Sequence, residues 1–558
     1  MSKLFLPIVA IALAVSCKDN YVPEPKPVQS DIEISAFYYP GTDLSSEWDM
    51  VEETLPQIKP LLGWYDEGNP EVIDWQIKWA VEHGISSFCL DWYWDNGAQR
   101  LDHWIKAYYK ARWRNYLKWF IMWANHNAPG SHSTADQIAV TRFWVDNYFK
   151  TDEYYKIDGK PVVVTWNVQN LDRDFIREAA ARGETLLPGE GVKRALAISD
   201  SVAVAAGLKG IYFMNMFQQH HLGNETLAKT VRDAGYRAQM VYSFDKMAYR
   251  FAPELMGPED SPARFSFDLV TEAVKKWWDL TSKDSDIPFW PIIPSGWNDI
   301  PRSFQDAKII YGRTPEKFAK MCRDAREFCD RTGNRHIIVA PINEWQEGSY
   351  LEPNEEFGFA FYDAIRDAFC KKPKGGWPKN IKPSDIGLGP YDFPAMSHPE
   401  RTHWDFADGA QGWYRNPYGA RSVKAENGNL VFGMSYTGHN KAAIRTRIAP
   451  FESSENPVFT IRMRLSANEQ YGKTPDGSEK LTLWWGSDKS RIFDENFTVR
   501  NENSQSIPVQ VDGQWHEYSM DLSNNPNWSG RRIDELWIDP VAMQYVSVDI
   551  DRMGFGKE

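Results

Sequence analysis

One pattern constrains this chain more than any other. Between Asp31 and Lys374 a short apolar or aromatic run is followed, eight times over, by a stretch of helical periodicity. The runs are Ile34–Pro40, Ser86–Trp94, Trp119–Asn125, Pro161–Asn167, Gly210–Phe217, Ala238–Phe244, Pro288–Gly296 and His336–Trp345. Each is rich in β-branched or aromatic residues and poor in polar alternation, as strands covered on both faces are. The stretches between them carry helix punctuation. Asn69-Pro70-Glu71 supplies a cap, a first-turn proline and an acid, with Gly84 past the end, and Thr314-Pro315-Glu316 opens a helix that stops near Gly333. Eight βα units with right-handed crossovers predict an α/β fold, a (β/α)8 TIM barrel over residues 31–374. A doubly wound open sheet is the alternative, but no Gly-x-Gly-x-x-Gly follows the first run.

A barrel places its chemistry just past the C-terminal ends of the strands. There the sequence sets Tyr38 and Tyr39, then Asp91, Trp92, Tyr93 and Trp94, then Trp123, Asn125 and His126, then Trp166 and Asn167. Asn215, Asp245, Trp297, Asn298 and Asp299 follow, and the eighth run ends in Asn343-Glu344-Trp345-Gln346-Glu347-Gly348. Carboxylates and amides bond hydroxyls, and aromatic faces stack on the C–H faces of sugar rings. A glycan is therefore the expected partner. The formal net charge of −13 excludes a nucleic-acid partner, which needs a basic surface.

Glu344 and Glu347 stand three apart behind an apolar strand, and Gly348 then releases the chain. Paired acids suit glycosidic cleavage. One protonates the leaving oxygen, the other supports attack at the anomeric carbon, and proximity raises proton affinity. The segment Asn343–Ser349 resembles the N-E-W-x-E-G-[ST] signature of glycoside hydrolase family 99, the endo-α-mannosidase and mannanase family. It is still more similar to the family-99-like (WbsX-like) domain, whose members are often described as O-antigen glycosyltransferases. Tyr350–Asn354 and Gly358–Phe361 continue the likeness. Ala36–Pro40, the Gly63-Trp64-Tyr65-Asp66 segment, Gly84–Trp94 and Trp123-Ala124-Asn125 agree with it, over roughly residues 31–370.

The resemblance implies a retaining hydrolase in which Glu344 deprotonates the sugar's own 2-hydroxyl, forming a 1,2-anhydro sugar. Glu347 is then the general acid/base. Tyr38, Tyr39, Trp64, Asp66, Asp91, Trp92, Tyr93, Trp123, Asn125, His126, Trp166, Asn167, Trp297 and Asn343 are the expected substrate contacts. Two departures put mannose specificity in doubt: His126 stands where the related domains carry Glu, and Gln346 where family 99 proper carries His. A surface-polysaccharide glycosyltransferase and a non-catalytic glycan-capture protein are the competing readings. Nucleotide-sugar donors are cytoplasmic, which weighs against a transferase in an exported protein, and the Glu pair weighs against mere capture.

Residues 375–400 are rich in Pro and Gly and read as a linker. From residue 401 to 558 short alternating segments recur without helices: Trp404–Phe406, Leu430–Met434, Val458–Leu465, Leu481–Trp485, Trp515–Leu522, Glu535–Ile538 and Val546–Phe555. They predict an all-β jelly-roll sandwich resembling a carbohydrate-binding module, a class that often binds sugar or structural calcium. Trp484 and Trp485 are adjacent, so one is expected to face in and the other to offer an outward sugar platform.

The chain begins with an address. Lys3 precedes the unbroken apolar run Leu4–Val15, too short to span a bilayer but suited to a signal peptide over residues 1–16. Ala14-Val15-Ser16-Cys17 resembles a bacterial lipoprotein processing site, with Cys17 lipidated, residues 17–30 a tether, and the protein anchored to the outer membrane. The remaining cysteines, Cys89, Cys322, Cys329 and Cys370, are expected as free thiols. No catalytic cofactor is expected and no metal site is convincing, the nearest being His220-His221.

Overall fold

The computed structural model describes residues 21–41, 46–95, 97–125, 130–216, 225–244, 247–284, 287–394, 398–416, 419–434, 442–468 and 474–557. The signal run, Cys17, His126, the His220-His221 pair and Asp245 lie outside the described residues.

All eight predicted runs contribute a strand to one parallel sheet: β1 (Glu33–Tyr38), β2 (Ile85–Asp95), β3 (Lys118–Trp123), β4 (Lys160–Thr165), β5 (Tyr212–Met216), β6 (Ala238–Met240), β7 (Ile292–Ile293) and β8 (His336–Val339). The order is β7-β8-β1-β2-β3-β4-β5-β6. The sheet closes through a single parallel bridge between Gln239 and Phe289. There the Gln239 amide donates to Pro288 O and the Trp290 amide to Gln239 O, both at 2.9 Å. β7 is shorter than its apolar run because Pro288, Pro291 and Pro294 have no N–H to give the ladder.

The helices follow their punctuation. Asn69 accepts from the Glu71 amide at the head of Pro70–Glu82, and Thr314 accepts from the Lys317 amide at the head of Pro315–Thr332. Gly333 ends the latter in the left-handed region (φ 76°), where a Cβ would be strained. Cys89, Cys322, Cys329 and Cys370 are unpaired.

Residues 21–30 are extended but are not a free tether. Val22 is buried, its carbonyl accepts from Trp113 Nε1 (2.9 Å), and the Val28 amide donates to Val81 O (3.0 Å). Residues 391–393 likewise lie on the barrel, the Tyr391 amide donating to Leu62 O at 2.7 Å.

The C-terminal region is a sandwich of two antiparallel sheets. One joins Ala420–Glu426, Asn429–Met434, Val546–Gly556, Val458–Ala467 and Trp515–Asp521, with His403–Trp404 added at Val546–Gly556. The other joins Tyr414–Arg415, Ile444–Glu452, Arg532–Asp539, Lys480–Ser487 and Ser504–Pro508. Trp485 is in the core between them. Trp484 is not an outward platform. It is buried with Met50 and Phe304 of the barrel and with Ala442, Ile492, Phe493, Val499 and Trp537 of the sandwich.

Polar contacts frame that apolar seam. The barrel helix Ser46–Thr54 carries Glu47, Asp49 and Glu53. Arg415 forks onto Glu47 (2.8 and 2.7 Å), Tyr414 donates to Asp49 at 2.5 Å, and Arg447 pairs with Glu53.

Candidate active site

The signature segment builds its geometry from one sharp hairpin. Asn343–Glu344 pairs antiparallel with Ser349–Tyr350, and Trp345–Glu347 between them forms a 3₁₀ turn. Trp345 faces inward, stacked on Tyr350 (centroids 4.8 Å apart) and donating through Nε1 to the Tyr65 hydroxyl (3.2 Å). With Trp345 anchored, Glu344 and Glu347 both line one cleft with Tyr39, Glu47, Arg302 and Asn343. Gly348 is left-handed (φ 57°), and a Cβ there would meet Asn298 O at 2.6 Å. That close approach lets the Asn298 amide donate to Glu347 O at 2.7 Å, tying the β7 loop to the turn.

Neither glutamate points into bulk water: Glu344 is 8% exposed and the Glu347 side chain 12%. Arg302 pairs with Glu347 Oε1. Burial raises the Glu344 carboxyl, while the neighbouring Tyr242 hydroxyl and the Arg302 charge pull the other way. A third acid, Asp91 at the end of β2, is pushed well above the usual carboxylate range by burial, then by the charges of Glu344 and Glu347. Asp91 Oδ1, Glu344 Oε2 and both amide atoms of Asn215 are buried without a hydrogen-bond partner among the described residues. Each such atom costs about 1–3 kcal/mol unless water or a ligand bonds it.

The predicted contacts divide into three groups. Tyr39, Asp91, Tyr93 and Asn343 gather with the glutamates. Tyr39 lines the cleft, and the ionisation of Tyr93 is opposed first by burial and then by Asp91, Tyr39 and Glu344. Trp166 and Trp297 are half-buried, Trp166 edge-on to Tyr242 (5.3 Å) and Trp297 directly before Asn298.

The second group is packed away from the cleft. Tyr38 is fully buried, donating to Gln76 (3.0 Å) and Glu67 (3.3 Å). Trp92 and Trp123 are core residues around Trp144. Trp64 packs on Trp48, one layer behind the lining.

The third group holds loops. Asn125 Nδ2 donates to Asn167 O and Asn125 Oδ1 accepts from the Asn167 amide, both at 2.7 Å. Asn167 also caps the next helix, and Asp66 accepts from the Gly68 amide (2.6 Å).

Sequence reasoning missed Arg302, Tyr242, Glu47 and Glu67. Tyr242 sits at the end of the sixth apolar run, where it reads as core. Arg302 sits past the β7 loop in a four-residue helix, Ile300–Ser303, too short for a periodic signal. Among the described residues no group of three or more His, Cys, Asp or Glu is placed to hold a metal ion.

The chain is similar to several known proteins. The chain is 24% identical over 367 residues to the uncharacterised protein WxcX of Xanthomonas campestris pv. campestris, a match covering 59% of this chain and 46% of WxcX. The chain thus spans about half the length of the curated relatives it matches. Among solved structures, a glycoside hydrolase-like protein aligns with a TM-score of 0.43 at 15% identity, over 63% of this chain and 99% of its own. A GH99 endo-alpha-mannosidase from Bacteroides thetaiotaomicron aligns with a TM-score of 0.42 at 17% identity, over 61% of this chain and 95% of its own. Residues 52–365, more than half of the chain and including both glutamates, match the family model described as Glycosyltransferase WbsX, and the protein belongs to that family.

Proposed function

We propose that the protein is a retaining glycoside hydrolase acting on an extracellular glycan, with Glu344 and Glu347 as its catalytic pair. The observation that carries this reading is the cluster of three acids at the mouth of the barrel, Asp91 and Glu344 buried and Glu347 nearly so, with the Arg302 guanidinium on Glu347. Asp91 Oδ1 and Glu344 Oε2 have no hydrogen-bond partner among the described residues, and the hydroxyls of a bound sugar would supply one.

The chemistry takes two steps. Glu344 removes the proton of the sugar's 2-hydroxyl, whose oxygen attacks the anomeric carbon. The bond to the leaving oxygen breaks as Glu347 protonates it, leaving a 1,2-anhydro sugar. Glu347, now ionised, takes a proton from water. The water oxygen attacks the anomeric carbon from the opposite face, and Glu344 returns its proton to the 2-oxygen. Two inversions give net retention. Before Glu347 carries a proton, Arg302 has to release it, so substrate entry includes transfer of Arg302 to a sugar oxygen. Asp91, whose proton affinity is raised by burial and by the two glutamates, bonds a hydroxyl of the same sugar.

The family's description favours a second reading, transfer of a sugar to an acceptor. A panel of polysaccharides separates them: the hydrolase reading expects reducing ends released by the wild type and lost in both Glu344→Gln and Glu347→Gln. Product formation only from a nucleotide-sugar donor supports the transferase. Binding without turnover, unchanged in both variants, supports capture alone. We also infer export with lipidation at Cys17, which radiolabelled palmitate incorporation, absent in Cys17→Ser, would support.

A further inference from the structure

The residues that line the cleft all come from the barrel, yet two of the segments that carry them are held by the sandwich. We propose that the sandwich is a working part of the active site, and that Arg415 is a positioning residue acting through Glu47 and Gln346 on the turn that carries Glu347. Arg415 Nε and Nη2 donate to Glu47 Oε1 at 2.8 and 2.7 Å. The other oxygen, Glu47 Oε2, accepts from Gln346 Nε2 at 2.6 Å, and Gln346 Nε2 also donates to Glu47 O at 2.8 Å. Gln346 lies between the two glutamates in the 3₁₀ turn. One carboxylate therefore joins the second domain to the catalytic turn, with two guanidinium donors on Oε1 and the Gln346 side-chain amide on Oε2.

The sandwich also touches the segment that directly follows Arg302. Phe304, two residues beyond Arg302, has φ 49° and sits at 5.4 Å from both Phe493 and Trp537 of the sandwich. Gln305 Oε1 accepts from the Val499 amide at 3.3 Å. One domain thus sets both members of the Arg302–Glu347 pair, one through an apolar socket and the other through the Arg415–Glu47–Gln346 relay. Arg447 on Glu53 and Tyr414 on Asp49 grip the same helix but touch neither member. They supply an internal contrast between adhesion and positioning.

The experiment compares Arg415→Ala, Arg415→Lys and Arg447→Ala in the full chain by hydrogen exchange and mass spectrometry, which needs no substrate. We expect Arg415→Ala to speed exchange about tenfold in peptides covering 343–350 while peptides covering 458–467 stay unchanged. Arg415→Lys should recover part of the protection, and Arg447→Ala should leave 343–350 as in the wild type. Unchanged exchange in Arg415→Ala, or equal loosening in Arg447→Ala, overturns the proposal. Its catalytic half rests on the hydrolase reading. On a polysaccharide that the wild type cleaves, Arg415→Ala should lower kcat at least tenfold with KM within twofold, and a KM effect alone overturns that half. A wild type that cleaves nothing defeats the hydrolase reading while the exchange result still decides the positioning.

Discussion

Asn343 and Tyr39 hold each other twice: Asn343 Nδ2 donates to Tyr39 O at 2.7 Å, and the Tyr39 amide donates to Asn343 Oδ1 at 2.9 Å. The pair ties the end of β1 to the hairpin that carries both glutamates. Asn343 Nδ2 also donates to the buried Glu67 Oε1 at 2.7 Å. Asn343→Ala removes three hydrogen bonds at once, two to Tyr39 and one to Glu67. We expect a loss of about 2–4 kcal/mol, since each orphaned buried group costs about 1–3 kcal/mol. Urea denaturation measures it, and a loss under 1 kcal/mol counts against the clamp.

Arg302 opposes proton uptake at Glu344. Removing its charge in Arg302→Met raises proton affinity in the cleft, so the pH at which the base becomes ionised moves upward. The acid limb of the pH dependence of kcat/KM should shift to higher pH, with a fall at pH 7 of about a hundredfold, equivalent to about 2.7 kcal/mol. A limb that stays in place separates Arg302 from the proton chemistry.

Glu352 lies deep in the barrel, accepting from Tyr65 (2.6 Å) and Gln76 (3.2 Å), yet burial pushes its carboxyl up to about 8. Between the ordinary carboxylate value and about 8 the folded state binds the extra proton. Stability from this group is therefore undiminished in acid and declines as pH rises, by up to about 1.4 kcal/mol per unit. Thermal melts from pH 5 to 8 should show Tm falling in the wild type along a flatter line in Glu352→Gln. Parallel lines would sink the assignment.

Trp484 is buried at the seam between barrel and sandwich. Trp484→Ala empties a site bounded by both domains and should cost about 3–5 kcal/mol. Calorimetry should show one transition in the wild type and two in the variant as the domains uncouple. An unsplit transition would mean that the ionic contacts alone keep them together.

The barrel was legible because every strand is covered on both faces and so reads as unbroken apolar text, and Asn69 and Thr314 marked helix starts where they occur. The glutamates were legible because a signature holds them together. Tyr38, Trp92 and Trp123 were misread as cleft because strand-end position does not say which side of the barrel wall a side chain takes. The strand Ile444–Glu452 escaped notice because Arg445 and Arg447 break its apolar pattern, and their acidic counterparts lie on a helix some 400 residues earlier, among them Glu53. Arg302 and Arg415 were invisible for the same reason, since an ion pair between distant segments leaves no local periodicity.

The barrel is a hoop with one clasp. Among the described residues its seam is bridged at Gln239, whereas β8 pairs with β1 along four residues. Any dilation therefore begins at the seam, which separates Tyr242, after β6, from Arg302, after β7. Parting the strands there would break fewer backbone hydrogen bonds than parting β8 from β1, the flank that leads to both glutamates.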